Sequence, residues 1–400
     1  MRFMKVKIFF IAVMVVFMLF FSNDFGLIDI EKTAIITAVA LDLTDSGEYK
    51  VTAQIAVPEA TDTNTENLRA QISGTGATVG AAIKNIGDTS GWFPQLCFCN
   101  LIIVGGEFSD YNLIKILDYF SKTLRIQDSA LIVMAENKAD ELLKLATPLD
   151  NISSFALQKI ILKNAGLNRD VAVADIKSFC TGYYSGSASS YMPIVKIISQ
   201  KEENQPASAG GGGSSQGNEG NSGGAKGDYI FNANTTALFY QGKKVGELTE
   251  DLTLVFNAIT GDFNSTTFEV KGVETGAETK NYLLTVFDSD AQKTLAVSTN
   301  GLTLNVSLDI YAKISDNNGT FSDAEYSKNL PMPDCVKEKA EREFTAHIED
   351  LIRTEIATGC DFLDVKQELY RKHHAFYEEL NKDCLNNLDF TVSVTFSGQK

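Results

Sequence analysis

The sequence predicts an α+β / mixed α/β fold built of several mixed sheet-and-helix domains, with an antiparallel sheet carrying helices on one face in the C-terminal region. Three patterns support this. Before residue 200, short apolar runs rich in β-branched residues alternate with helical stripes. After residue 228, strict apolar–polar alternation marks long strands followed by an amphipathic helix. Between the two lies a stretch of almost only Gly, Ser, Asn, Gln and Glu.

The chain starts with Arg2, Lys5 and Lys7, then an unbroken apolar run over 8–21, closed by Ser22, Asn23 and Asp24. A basic flank before an apolar segment is the layout of a secretory signal. The run is shorter than the ~20 residues that cross a bilayer comfortably. Snorkelling of Lys5 and Lys7, with Phe25 at the interface, lets a tilted or thinned membrane accept it. Phe20 and Phe21 match poorly to the small residues that signal peptidase prefers, so the segment reads as a retained anchor. The positive-inside rule then places the remaining chain outside the cytoplasm. The competing reading is a buried helix of a soluble protein.

In the first region, residues 34–41 form a strand apolar on both faces, as in a sheet covered on both sides. A turn at Asp45, Ser46 and Gly47 leads to a strand over 49–57 with Val51, Ala53, Ile55 and Val57 on one face. Residues 101–104 and 130–133 are further strands. Leu113, Ile114, Ile116, Leu117, Phe120 and Leu124 trace a helix between them. Leu142, Leu143 and Leu145 mark a short helix ending before Pro148, and 152–162 is helical too.

Residues 201–227 cannot bury enough apolar area to offset the entropy of ordering them. They are a flexible linker, or a long disordered loop, between two folded regions. In the second region, Leu302, Leu304, Val306, Leu308, Ile310 and Ile314 alternate with polar residues in a long strand with one wet face. Phe390, Val392, Val394 and Phe396 repeat the pattern, and 282–287 and 294–298 supply neighbours. Asp334 caps a helix whose inner stripe is Val336, Ala340, Phe344, Ile348, Leu351 and Ile352. A second helix runs from about Val365 toward Leu385. The division is therefore 1–24 signal or membrane anchor, 25–200 mixed α/β, 201–227 linker and 228–400 α+β.

Composition narrows the function. Of the residues, 44% are apolar and 22% charged, a globular balance, and the net charge of −16 argues against a nucleic-acid partner, which needs a basic face. Gly74, Gly76 and Gly80 lack both the dinucleotide spacing and a P-loop ending, so they read as a loop turning into a helix with Val79, Ile83 and Ile86. His347, His373 and His374 have no metal-ligand spacing, since adjacent helical residues diverge by about 100°. Glu338, Glu341, Glu343, Glu349 and Asp350 form the wet face of a helix. Cys97 and Cys99 sit in a strand-like stretch on one face, too strained for a bridge. With Cys180, Cys335, Cys360 and Cys384 they read as free, mostly buried thiols, one or two bridges being the alternative. No catalytic, cofactor-binding or metal-ligating residues emerge.

The order of segments resembles the Ger(x)C (GerAC-like) family, the C subunit of spore-germinant receptors of endospore-forming bacteria. The resemblance begins at Glu31 with Ala34-Ile35-Ile36-Thr37 and Ala40-Leu41-Asp42, and continues through 49–55 and Pro58. It runs on through the Gly-rich turn with Ala82, Ile102-Ile103-Val104-Gly105, Leu117-Asp118-Tyr119-Phe120, Arg125, Pro148-Leu149 and Met192-Pro193-Ile194. Ala237-Leu238-Phe239 leading to Val245-Gly246-Glu247-Leu248 resembles the family's second-half hairpin, and Lys366 to Leu380 with the closing strand is similar as well. The resemblance implies a non-enzymatic subunit, without cofactors, exposed outside the spore inner membrane. There it would act with a multi-spanning A subunit and a transporter-like B subunit to sense nutrients. The family usually carries a lipid-bearing Cys followed by Trp-Asp. Here Asp24 stands at the Cys, Phe25 at the Trp and Gly26 at the Asp, so the apolar helix itself is expected to anchor the chain. The alternative is an extracytoplasmic solute-binding or sensor protein; a cell-wall hydrolase is a weaker third.

Overall fold

The computed structural model describes residues 2–21, 33–56, 69–122, 126–145, 147, 152–167, 170–199, 229–261, 263, 265–275, 278–298, 301–317, 332–380, 384–386 and 388–398. Asp24, Val57, Leu124, Pro148 and the 201–227 segment lie outside them.

Helix α1 (Arg2–Phe21) is apolar on every face beyond Lys7. Phe9, Phe10, Ile11, Met14, Phe17 and Met18 remain 63–68% exposed, so the rest of the chain does not cover them.

The first region is a three-layer arrangement. Strands β1 (Thr33–Leu43), β5 (Leu101–Val104), β6 (Leu131–Ala135) and β7 (Ser189–Ser199) run parallel side by side. On one side of them stand β2 (Tyr49–Ala56) and β3 (Arg69–Gly76), paired antiparallel; β4 (Phe93–Gln95) lies parallel beside the start of β1. Ile102, Val104, Ile132 and Met134 face one core, with α2 (Val79–Ser90), α3 (Ile114–Lys122) and α6 (Ile176–Tyr184) over it. Leu101, Ile103, Leu131 and Val133 face the other, under α4 (Ala139–Lys144) and α5 (Ser153–Leu167). The strand expected to be apolar on both faces is therefore covered on both. A β-bulge between Ile36 and Ala38 inserts the extra residue that puts Ile36 and Val39 on one face and Ala38 on the other.

The far edge of this sheet is β8 (Tyr229–Tyr240) and β9 (Lys243–Leu248). β8 pairs antiparallel with β7, Ser199 opposite Tyr229, so the strands flanking the Gly/Ser-rich segment are direct neighbours. Residues 229–248 thus belong to the first sheet rather than to a separate C-terminal body. Sequence composition marks where the chain leaves a fold, not whether it returns to the same sheet.

The second sheet has the order β10 (Thr267–Thr275), β11 (Glu278–Ser298), β12 (Gly301–Asn317), β13 (Leu388–Ser397). The two short strands expected within 282–298 are one 21-residue strand. The alternating stripe of β12 is buried from Leu302 to Ile310, and Ala312 continues it while Ile314 is only partly covered. β12 and β13 pair parallel, whereas an antiparallel sheet was expected. A parallel pair needs a long crossover, and three helices provide it: α8 (Asp334–Thr358), α9 (Val365–Lys372) and α10 (His374–Leu380). The single helix expected toward Leu385 breaks at His373, which leaves helical geometry at φ −136°, ψ 51°.

Every residue of the expected α8 stripe is buried on the sheet beside α7 (Glu250–Thr260). Asp334 is the first helical residue of α8 rather than its cap, which is Pro333. An acidic group there still favours the positive end of the helix dipole.

Candidate functional site

Gly74, Gly76 and Gly80 form no cradle for phosphate. The first two end β3, a strand the sequence did not reveal, and α2 folds straight back onto it, capped by Thr78. A Cβ at Gly74 would lie 2.3 Å from the Ala82 carbonyl oxygen, and one at Gly76 2.8 Å from the Ala82 nitrogen. These glycines let helix and strand backbones touch. Val79, Ile83 and Ile86 are buried as expected.

His347 lies on the flank of α8, while His374 stacks 6.3 Å from the Tyr377 ring and meets the Tyr370 edge at 5.0 Å. Among the described residues no group of three metal-ligating side chains converges. Cys97 and Cys99 occupy a turn rather than a strand, one exposed and the other buried. All six cysteines are unpaired. Burial pushes the Cys99 and Cys360 thiols up to about 12, so both stay protonated and unreactive. On α8, Glu343 pairs with Lys339, and Glu349 and Asp350 with Arg353, as a wet face should. Glu341 departs from that reading: its carboxylate accepts the Phe396 N–H at 2.9 Å and ties α8 to β13.

The structure concentrates its buried polar chemistry where the two sheets meet, at the end of α8. Gly359, at φ 66°, stops the helix and turns the chain toward the first sheet. Cys360 Sγ then contacts the carbonyl oxygen of Phe239 on β8 at 3.2 Å. The Asp361 N–H donates to Ser189 Oγ on β7 at 2.8 Å. The Asp361 carboxylate reaches forward and accepts the N–H groups of Lys366 and Gln367 at 2.9 and 3.1 Å, capping α9. Lys366 Nζ donates to the Gly359 carbonyl and stands 5.2 Å from the Tyr240 ring centre.

Glu355, one turn before the end of α8, is fully buried in this joint. Its Oε1 accepts the Leu363 N–H at 3.4 Å, while Oε2 has no hydrogen-bond partner. Burial, reinforced by the neighbouring Asp361 charge, holds its carboxyl well above the usual range. Burial raises Asp361 as well, against the pull of its hydrogen bonds. Glu355 therefore holds its proton more tightly than a free carboxyl does, because a buried carboxylate without full compensation is costlier than a neutral acid. Sequence reasoning missed this residue among the many α8 glutamates. The signal was its position: 348, 351, 352 and 355 continue one helical stripe.

Beside this joint opens a cleft of about 520 Å³. Its apolar side is Phe179, Phe256 and Phe362, with the Tyr191 and Phe256 rings 5.1 Å apart. Its polar side is Ser185, Ser187, Ser189 and Ser190, with the buried Asp361 and the more exposed Asp175, Asp364 and Lys177 also lining it. Hydroxyls, aromatic faces and a surplus of carboxylates suit a small polar or amine-bearing solute rather than an anion. The cleft's walls come from both regions.

Residues 27–197 match the family described as "Spore germination protein N-terminal domain". Residues 234–397 match "Spore germination B3/ GerAC like, C-terminal". No curated protein matches the chain. Among solved structures, "Crystal Structure of the GerBC protein" is similar at 13% identity with a TM-score of 0.51, covering 92% of this chain and 99% of that one. That likeness is one of fold. With the two domain matches spanning most of the sequence, the chain belongs to the Ger(x)C (GerAC-like) family of spore germination proteins.

Proposed function

We propose that this protein is the membrane-anchored, extracytoplasmic C subunit of a spore-germinant (nutrient) receptor, acting in receptor assembly and signalling rather than as an enzyme. The observation that carries the reading is α1: a helix apolar beyond Lys7, with large side chains between Phe9 and Met18 mostly exposed, attached to a germination-family body. A helix of that kind is buried in protein or in lipid. Among the described residues no helix is long and apolar enough to cross a membrane. The uninterrupted apolar part, 8–21, reaches about 21 Å at 1.5 Å per residue, against ~30 Å of hydrocarbon. Local thinning and snorkelling of Lys5 and Lys7 close that gap. Arg2, Lys5 and Lys7 favour the cytoplasmic side, which leaves the body on the outer face of the spore inner membrane. Its partners there are the A-type and B-type membrane subunits.

Fractionation tests the anchor. The full chain should sediment with membranes and resist alkaline carbonate, and a chain lacking 2–21 should be soluble. Full-length protein found wholly in the cytosol would overturn the reading.

The cleft favours one second reading, a solute-binding sensor in its own right. Its position between two regions that share a buried joint gives a preformed cavity of drug-ligand size. Saturable heat on titration with a single amino acid, nucleoside or sugar, lost in Asp364→Asn, would move the assignment there.

A further inference from the structure

Three large aromatic side chains stand in water at one end of the first sheet. Trp92 is 47% exposed, Phe93 51% and Phe98 56%. Nothing in the reading of the chain as a receptor subunit uses them. Gly91, at φ 73°, ends α2 and throws the chain outward so that Trp92 and Phe93 lead into β4. A shallow groove of about 500 Å³ lies between them and α2, floored by Ile83 and Tyr119.

Their place in the sheet gives them meaning. β4 runs parallel to the first residues of β1, with Thr33 opposite Phe93 and Ala34 opposite Pro94. The aromatics therefore sit where the chain comes into the fold from α1. Phe21 ends α1 and Thr33 begins β1, leaving eleven residues between them. Those can span at most about 40 Å even fully extended. If α1 holds the chain in a bilayer, this end of the sheet stands within reach of the lipid headgroups.

We propose that the 92–98 segment is a membrane-docking surface, with Trp92 and Phe93 seated among the headgroups of the outer leaflet. The inference rests on the anchoring role of α1. Trp favours this zone because its ring is apolar while its indole N–H stays wet, and a neighbouring Phe adds apolar area to insert. The net charge of −16 leaves little room for adhesion to anionic lipid by charge, so insertion of aromatic rings is the remaining route. Docking at Trp92 as well as through α1 fixes the orientation of the body over the membrane, and with it the face offered to other subunits.

The chain contains one tryptophan, so its fluorescence reports this site alone. The test uses the full chain in neutral phosphatidylcholine vesicles, with flotation and Trp92 emission read on the same sample. The expected result is co-flotation, a blue-shifted emission, and about twofold quenching by lipids brominated near the headgroup end of their chains. High salt should leave all three unchanged. The double substitution Phe93→Ser and Phe98→Ser alters exposed side chains only; it should float normally through α1 yet lose the bromolipid quenching. A chain that floats while Trp92 emits as in water, quenched by aqueous iodide and not by bromolipid, overturns the docking surface and leaves the anchor standing. That result would mark the patch as a protein-facing one. A chain that does not float overturns the anchor, and the docking surface with it.

Discussion

Phe344→Ala should cost about 3–5 kcal/mol of stability, the range for truncating a buried aromatic in a core that cannot close over the gap. Phe344 is the meeting point of four rings. Its centroid lies 4.9 Å from that of Phe268 on β10, 5.3 Å from Phe396 on β13 and 6.2 Å from Phe263 after α7. Phe268 and Phe396 are themselves 5.8 Å apart. The cluster staples α8 across the strands β10 and β13, which lie at opposite edges of the second sheet. Urea unfolding of the full chain measures the loss as a lower midpoint for the second region. A change below about 0.5 kcal/mol, the scale of surface substitutions, would mean that α8 does not rest on the sheet at this point.

The second large effect is a pH dependence at the joint. The Glu355 carboxyl is raised well above its usual 4.5 by burial, and Asp361 above 3.8 for the same reason. Below about pH 3 both forms of the protein carry these protons, and the pair contributes no slope. As pH rises past the usual carboxylate values, the unfolded chain releases these protons before the folded chain does. Stability therefore falls with rising pH until the folded-state values are passed, by about 1.4 kcal/mol per pH unit for each retained proton. Glu355→Gln removes one of the two titrations and keeps a side-chain oxygen that can accept from Leu363. It should be more stable than the parent at pH 7 and indistinguishable near pH 3. Thermal unfolding between pH 3 and 8 makes the comparison. Parallel curves for the two proteins would show that Glu355 is ionised in the fold.

Much of this architecture was legible from the order of residues. The α8 stripe and the β12 alternation are long, regular patterns, and burial follows them residue by residue because each position has one face to fill. The double-sided burial of β1 was legible for the same reason. α7 was not: Thr253, Val255, Phe256 and Ile259 are β-branched or aromatic, and local preference for strand is overridden by packing between β8 and α8. The parallel pairing of β13 could not be read because its alternation is the same in either direction. β8 and β9 were misplaced because pairing across a long intervening segment leaves no local trace. At the joint, the chemistry was hidden by repetition. Glu355 looks like its neighbours until its place on the stripe is counted, and Asp361 acts through residues that come close only in the fold. The exposed aromatics at 92, 93 and 98 were visible as residues, but their significance depends on the pairing of β4 with β1.

The measurement that bears most directly on the receptor assignment is germination of spores lacking only this chain, scored against single nutrients from a panel of amino acids, nucleosides and sugars. The expected result is a response to at least one nutrient reduced to background, with germination intact under a trigger that bypasses nutrient sensing. The full chain should restore that response, and a chain without α1 should not. Spores that answer every nutrient as the parent does, or that are rescued equally well by the α1-less chain, would contradict it.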